Sequence, residues 1–227
     1  MIERLIIGIL RCDRPVSDAW QRALDALTIP EGLTVERVVV TSPGLNKFSE
    51  IEHARNELAE RALNARYLLF LDDDVIPPSD ALVRLTSELA ERPNARICAG
   101  LYQRRHLFGA AQLFLVWSGD YAEDSDRYIT DWEPGAVFRC DGIGTGCMLI
   151  DARIFNEIKR PFFKSDYVRR RRAVPDGYIG THVSEDAYFC RQVIKAGFEI
   201  WAHADVICEH ESPEARERID GYLTSQL

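Results

Sequence analysis

Residues 67–75 read Tyr67-Leu68-Leu69-Phe70-Leu71-Asp72-Asp73-Asp74-Val75. Five apolar residues without alternation suit a short strand buried on both faces, as strands of parallel sheets are. Three consecutive carboxylates follow. They repel one another and lose hydration when enclosed, so they belong where the chain leaves the core. Pro77-Pro78 just after them favours a turn. A solvated acidic turn is one reading. The other is a site for a hard divalent cation such as Mg²⁺ or Mn²⁺, which prefers oxygen ligands. In an extended segment an i, i+2 pair points to one side, so Asp72 and Asp74 can converge.

Before this strand, Leu5–Leu10 and the β-branched Leu33–Thr41 also read as strands. Pro15 can open a helix carrying Trp20, Ala23, Leu24 and Leu27 at helical spacing. Ser49-Glu50-Ile51-Glu52 fits a capping box for a helix with Ile51, Ala54, Leu58 and Ala62 on one face. Ser79 can cap a helix with Leu82, Leu85 and Leu89 in register, and Arg96–Gly100 reads as a further strand. Strand and helix therefore alternate over the first hundred residues. That pattern predicts an α/β fold with a mixed, mostly parallel sheet flanked by helices. In such sheets ligands bind beyond the carboxyl ends of the strands, where the triplet falls.

The second half is less regular. Residues 103–140 carry aromatics, Gly and charge without a period. Met148–Ile150 reads as a strand after a Gly-rich turn, Ala152–Ile158 as a short helix, and residues 160–183 as a loop. Ser184 can cap a helix running to Lys195, with Gly197 as its stop. Glu199–His203 and Val206–Cys208 read as two strands, followed by a polar tail.

The 227 residues suit one domain, 1–227, with 46% apolar residues to form a core. A net charge of −8 disfavours a general grip on nucleic acid or anionic membrane. No apolar run approaches the roughly 20 residues of a membrane helix, and Met1–Gly8 lacks a signal-peptide layout. The expected location is cytoplasmic. The six cysteines form no CxxC pair and read as buried small apolar residues. Cys208 and His210 form a C-x-H pair without a second pair for a structural zinc.

The triplet with its strand resembles the D-x-D segment of GT-A-fold glycosyltransferases, especially the inverting family 2. Three segments agree in order: Ala54-Arg55-Asn56, Gly142-Ile143-Gly144-Thr145-Gly146-Cys147-Met148-Leu149-Ile150, and Ser184-Glu185-Asp186 opening a helix. Val206-Ile207-Cys208-Glu209-His210 then ends on a histidine. Each alone has a bland reading: an exposed polar pair, a turn, carboxylates at a helix dipole, a satisfied strand-end imidazole.

The resemblance implies a nucleotide-sugar-binding half at about 1–100, an acceptor-binding and catalytic half at about 101–210 and a C-terminal tail at 211–227, with Arg55, Asn56, Asp72, Asp73, Gly144, Thr145 and Gly146 at the donor. It implies Asp74 and His210 as direct ligands of Mn²⁺ or Mg²⁺, with Asp72 reaching the metal through water or contacting the ribose. Asp186 would be the base that deprotonates the acceptor hydroxyl, and Glu185 its support. The donor would be a nucleotide-diphosphate sugar, UDP favoured over GDP as carrier. The place where relatives often carry a uridine-contacting acid reads Thr41-Ser42-Pro43-Gly44, so the base is open.

The acceptor is open too: a sugar, a lipid-linked sugar, a protein or a modified nucleobase. The Arg169-Arg170-Arg171-Arg172 run is a solvated loop or, with Tyr167, an acceptor-binding segment, for which Tyr167, Arg169 and Arg170 are the candidates. Two rivals stand: a nucleotidyltransferase acting on sugar phosphates, and a non-catalytic carbohydrate- or partner-binding module. Gly8-Ile9-Leu10-Arg11-Cys12-Asp13-Arg14 has one Gly, which disfavours the triphosphate loop of the first.

Overall fold

The computed structural model describes residues 2–12, 15–42, 48–103, 116–119, 128–129, 131–171 and 178–211. The strands are β1 (Glu3–Cys12), β2 (Leu33–Ser42), β3 (Tyr67–Asp72), β4 (Val75–Ile76), β5 (Ala95–Tyr102), β6 (Val116–Trp117), β7 (Val137–Cys140), β8 (Gly142–Ile143), β9 (Cys147–Asp151), β10 (Asp166–Arg171), β11 (Tyr178–Val183) and β12 (Glu199–His210). The helices are α1 (Asp18–Asp25), α2 (Phe48–Arg61), α3 (Ala81–Glu91) and α4 (Glu185–Lys195), with a 3₁₀ turn at Ala152–Asn156.

An eight-stranded sheet runs β2-β1-β3-β9-β5-β12-β4, with β7 also on β12. β1 is parallel to β2 and β3, and β12 to β5. Only β9 enters antiparallel between β3 and β5, while β7 and β4 pair antiparallel with the outer side of β12. The chain is thus a single α/β domain with a mixed, mostly parallel sheet, as the alternation predicts.

Both faces of the sheet are buried, which explains the unalternating apolar runs. Ile6, Leu10, Leu68 and Phe70 pack on one face with Ala54 and Leu58 of α2 and Phe189 and Val193 of α4. Leu5, Ile7, Ile9, Leu69 and Leu71 pack on the other with Trp20 and Leu24 of α1 and Leu82, Leu85 and Leu89 of α3. The period-2 geometry of a strand sorts the two sets.

Several local expectations need correction. Helix α1 begins not at Pro15 but after Ser17, whose hydroxyl oxygen accepts from Trp20 N–H at 3.0 Å. Ser49 lies inside α2 rather than before it. Asp80, not Ser79, precedes α3, and it makes no side-chain cap bond. Glu199–His210 is one strand with register shifts, not two. The expected loop at 160–183 contains the antiparallel β10–β11 hairpin. The arginine run hid it, because four like residues show no period-2 alternation. Gly197 does end α4, at φ +87°, a backbone conformation that favours glycine.

Candidate functional site

The carboxyl end of β3 is fixed by its neighbours. Asp72 N–H donates to the Gly146 carbonyl at 3.0 Å, and Asp73 N–H to Leu10 at 3.3 Å. The Trp20 indole N–H donates to the Asp72 carbonyl at 2.8 Å. Beyond the triplet the chain turns back and pairs with the far end of β12, Val75 opposite His210 and Ile76 opposite Glu209. Glu211 N–H then donates to the Asp74 carbonyl at 2.9 Å. This long-range pairing brings a histidine from the last strand to the acidic turn.

His210 Nε2 lies 3.7 Å from Asp74 Oδ1. Its other nitrogen, Nδ1, is 2.6 Å from the Gln103 carbonyl, which can only accept. The proton therefore sits on Nδ1, and in the neutral ring the Nε2 lone pair faces the carboxylate. A backbone carbonyl that fixes the tautomer is the usual support of a metal-binding imidazole. One carboxylate oxygen and one imidazole nitrogen fit Mn²⁺ or Mg²⁺ as two ligands of an oxygen-rich shell. Among the described residues no group of three His, Cys, Asp or Glu side chains converges, so further ligands would come from water and substrate oxygens.

Asp72 takes a different partner. Arg55 of α2 donates from Nη2 to Asp72 Oδ1 at 2.8 Å and Oδ2 at 3.2 Å. Arg55 is 3% exposed and lies over the Phe70 ring. Its Nε and Nη1 are buried without a hydrogen-bond partner. Burial works against the Arg55 charge; Asp72 and then Glu185 sustain it and leave its pKa raised. Asn56, next on α2, bonds the protein's own backbone: Nδ2 donates to Glu52 and Phe163 carbonyls, and Oδ1 accepts from Phe162 and Phe163 N–H.

Across from the triplet stands the turn Gly144-Thr145-Gly146, buried throughout. A Cβ on Gly146 would come within 2.8 Å of Tyr102 Cζ and 2.9 Å of Val75 Cγ2. Gly146 N–H donates to the Tyr102 hydroxyl at 2.9 Å, and the Tyr102 ring meets His210 edge-on, centroids 5.4 Å apart. Tyr102 thus joins the Gly-rich turn to the histidine.

Helix α4 brings Glu185 and Asp186 to the same neighbourhood. Ser184 is its N-cap residue, yet its hydroxyl donates to Asp186 Oδ1 rather than serving a backbone amide, and Ala187 N–H donates to the same oxygen at 2.7 Å. Burial pushes the Glu185 carboxyl up to about 7, with Asp186 adding to the shift and Arg55 opposing it. Burial also raises Asp186, while Ser184 and the Ala187 amide hold it down. Asp72 and Arg55 act on both carboxyls, so the two halves of the site share one electrostatic environment.

Asp73 is buried at 4% exposure. Tyr167, Arg169 and Arg170 stand on β10 opposite His182, Gly180 and Ile179; their side chains, like Arg172 as a whole, fall outside the described residues. Sequence reasoning missed Trp20, Tyr102 and Gln103. The strand-end rule that selected Asp72 applies equally to Tyr102 at the end of β5 and could have found it.

No protein-family profile matches the chain, and no curated protein matches it. Among solved structures it is similar to A197 from STIV, with a TM-score of 0.60 and 19% identity over 93% of this chain and 87% of that one. It is also similar to GalNAc-T7 in a crystal structure with UDP, GalNAc and Mn2+, with a TM-score of 0.58 and 11% identity over 92% of this chain and 44% of that one. The chain therefore spans under half of the GalNAc-T7 chain. At these identities the likeness concerns the fold, which is GT-A-like. No helix among the described residues is long and apolar enough to cross a membrane.

Proposed function

We propose that this protein is a metal-dependent glycosyltransferase that moves a sugar from a nucleotide-diphosphate donor to an acceptor hydroxyl with inversion. The observation that carries the reading is the meeting of Asp74 and His210, 3.7 Å apart at the strand ends, through the β4–β12 pairing. A GT-A-like neighbour solved with UDP, GalNAc and Mn2+ supports the same class and favours UDP as carrier.

In this reading Asp74 and His210 hold Mn²⁺ or Mg²⁺, and Asp72 reaches it through water or contacts the ribose. When bound, the metal would offset the negative charge that grows on the diphosphate as it leaves. Arg55 steadies Asp72 and places a cation beside the donor. Asp73 and the Gly144-Thr145-Gly146 turn line the donor side, and the absence of side chains at the two glycines permits close backbone approach. Asn56 acts by holding α2 to the Phe162–Phe163 segment.

Asp186 takes the proton of the acceptor hydroxyl as that oxygen attacks the anomeric carbon from the face opposite the leaving group. Burial raises its pKa, which makes the carboxylate a stronger base toward the acceptor proton. Glu185 supports the acceptor beside it. Tyr167, Arg169 and Arg170 belong to the acceptor side.

Incubation with a panel of nucleotide sugars and sugar acceptors tests the proposal. Metal-dependent release of nucleoside diphosphate and a product of inverted anomeric configuration are expected. Pyrophosphate release would instead identify a nucleotidyltransferase. Absence of turnover across the panel, with nucleotide binding intact, would leave a binding module.

A further inference from the structure

Arg55 is enclosed in the protein, and its guanidinium is only partly used. Nη2 donates to both oxygens of Asp72, at 2.8 and 3.2 Å. Nε and Nη1 are buried and meet no acceptor. A buried donor on a charged group that lacks a partner bears the full loss of its hydration. Such donors suit a second state of the site in which they are used. The carboxylate that holds Arg55 is open to that change, because Asp72 is 27% exposed whereas Arg55 is 3% exposed. A donor entering the site meets Asp72 first.

After Asp72, the carboxyl that acts most on the Arg55 charge is Glu185. It opens α4 and is buried. Helices α2 and α4 pack on each other. Ala54, beside Arg55, and Phe189, one turn after Glu185, belong to the same core cluster. We propose that Arg55 is a positioning residue that changes partner when the donor binds, holding Asp72 in the empty site and turning to Glu185 once the donor takes Asp72. The inference rests on the glycosyl-transfer reading and deepens it, because it makes the acceptor side of the site depend on the donor side.

In the empty site Asp72 balances Arg55, and Glu185 is left with its proton. Burial lifts that carboxyl to about 7; Asp186 on its own helix and Asp72 at the end of β3 add to the shift, while Arg55 on α2 and the Glu185 amide oppose it. When the donor engages Asp72, the enclosed guanidinium loses its counter-charge, which is the costly state of a buried pair. Glu185 restores the balance by releasing its O–H proton to solvent, and its carboxylate accepts from the unused N–H groups of Arg55. No other bond forms or breaks. The carboxylate beside Asp186 is thus charged, and ready for an acceptor hydroxyl, only after the donor is seated.

The test is a titration of the full chain with UDP and Mg²⁺, read in two ways. Calorimetry in two buffers of different ionisation enthalpy counts the protons released. Wild type should release about half a proton more than Glu185→Gln at pH 7, about one more at pH 6 and almost none more at pH 8. The proton that UDP itself loses is common to both and cancels. NMR of the arginine side chains then reports the partner. At least one of the Arg55 Nε–H and Nη1–H signals, assigned by their loss in Arg55→Lys, should move downfield on addition of UDP and Mg²⁺ in wild type and not in Glu185→Met. Equal proton counts in wild type and Glu185→Gln overturn the proposal. So do Arg55 signals that stay in place, or that move alike in Glu185→Met, since any proton release would then reflect only the field of the bound ligand. Either failure with UDP binding intact removes the partner exchange alone, whereas absence of UDP binding removes the transfer reading and the exchange with it.

Discussion

Arg55 grips both oxygens of Asp72 from inside the protein, at 2.8 and 3.2 Å, while Asp74, two residues on, faces His210 instead. The acidic triplet is therefore not one cluster. One carboxylate is balanced by a buried cation, one faces an imidazole, and Asp73 between them is buried.

The first prediction concerns that ion pair. Removing one partner of a buried pair strands the other, at a typical cost of about 3–5 kcal/mol. Asp72 is 27% exposed, so water offsets part of this and the low end applies to Arg55→Met. Asp72→Asn in the same background should restore some of the loss. Urea unfolding of both single variants and the double variant gives the coupling, and strictly additive effects would show that the pair does not act as a unit.

Gly146→Ala should destabilise the protein by roughly 1–3 kcal/mol, the usual range for overpacking a tight site. The new methyl must displace the Tyr102 ring and Val75, both under 3.0 Å away. Because Tyr102 also abuts His210, UDP affinity in the presence of Mn²⁺ should fall as well. Stability at the wild-type value would mean that the turn has slack that the packing denies.

Glu185 makes stability depend on pH. Burial, its largest cause, lifts its carboxyl from 4.5 to about 7 in the folded protein. The folded chain then keeps a proton that the unfolded chain releases. This group's contribution accordingly declines as pH rises from about 4.5 to about 7 and is level above that. Subtracting the pH–stability curve of Glu185→Gln from that of the wild type should isolate this slope. A flat difference curve contradicts the assignment.

His203 works in the opposite direction. Burial lowers its pKa from 6.5, and its Nδ1 accepts from Asp205 N–H at 3.2 Å, a bond that needs the neutral ring. Its contribution is present above about 6.5 and is lost as pH falls through that value towards the depressed folded one. His203→Gln should flatten acid destabilisation just below pH 6.5, measured by thermal unfolding. A wild-type slope in the variant would remove the histidine from the account.

The sheet was legible because both of its faces are covered: runs such as Leu68–Leu71 in β3 admit few other readings. The candidate site was legible in its chemistry but not in its assembly. Asp74 and His210 are 136 positions apart in the numbering, and only the Val75–His210 register joins them. No local period records such pairing. The antiparallel entry of β9 and the β10–β11 hairpin escaped for the same reason, because strand partners are set by tertiary contact. Helix starts failed at Ser49, which lies inside α2, and at Ser79, because Asp80 stands between it and the first residue of α3.

Calorimetric titration of UDP in the presence and absence of Mn²⁺, on wild type and Asp74→Ala, asks whether Asp74 and His210 form a metal site for the donor diphosphate. The account predicts that Mn²⁺ strengthens UDP binding at least about tenfold, a coupling of roughly 1.4 kcal/mol, and that Asp74→Ala abolishes this enhancement while leaving the fold intact by circular dichroism. UDP binding that is indifferent to Mn²⁺, or an enhancement that survives in Asp74→Ala, would contradict it.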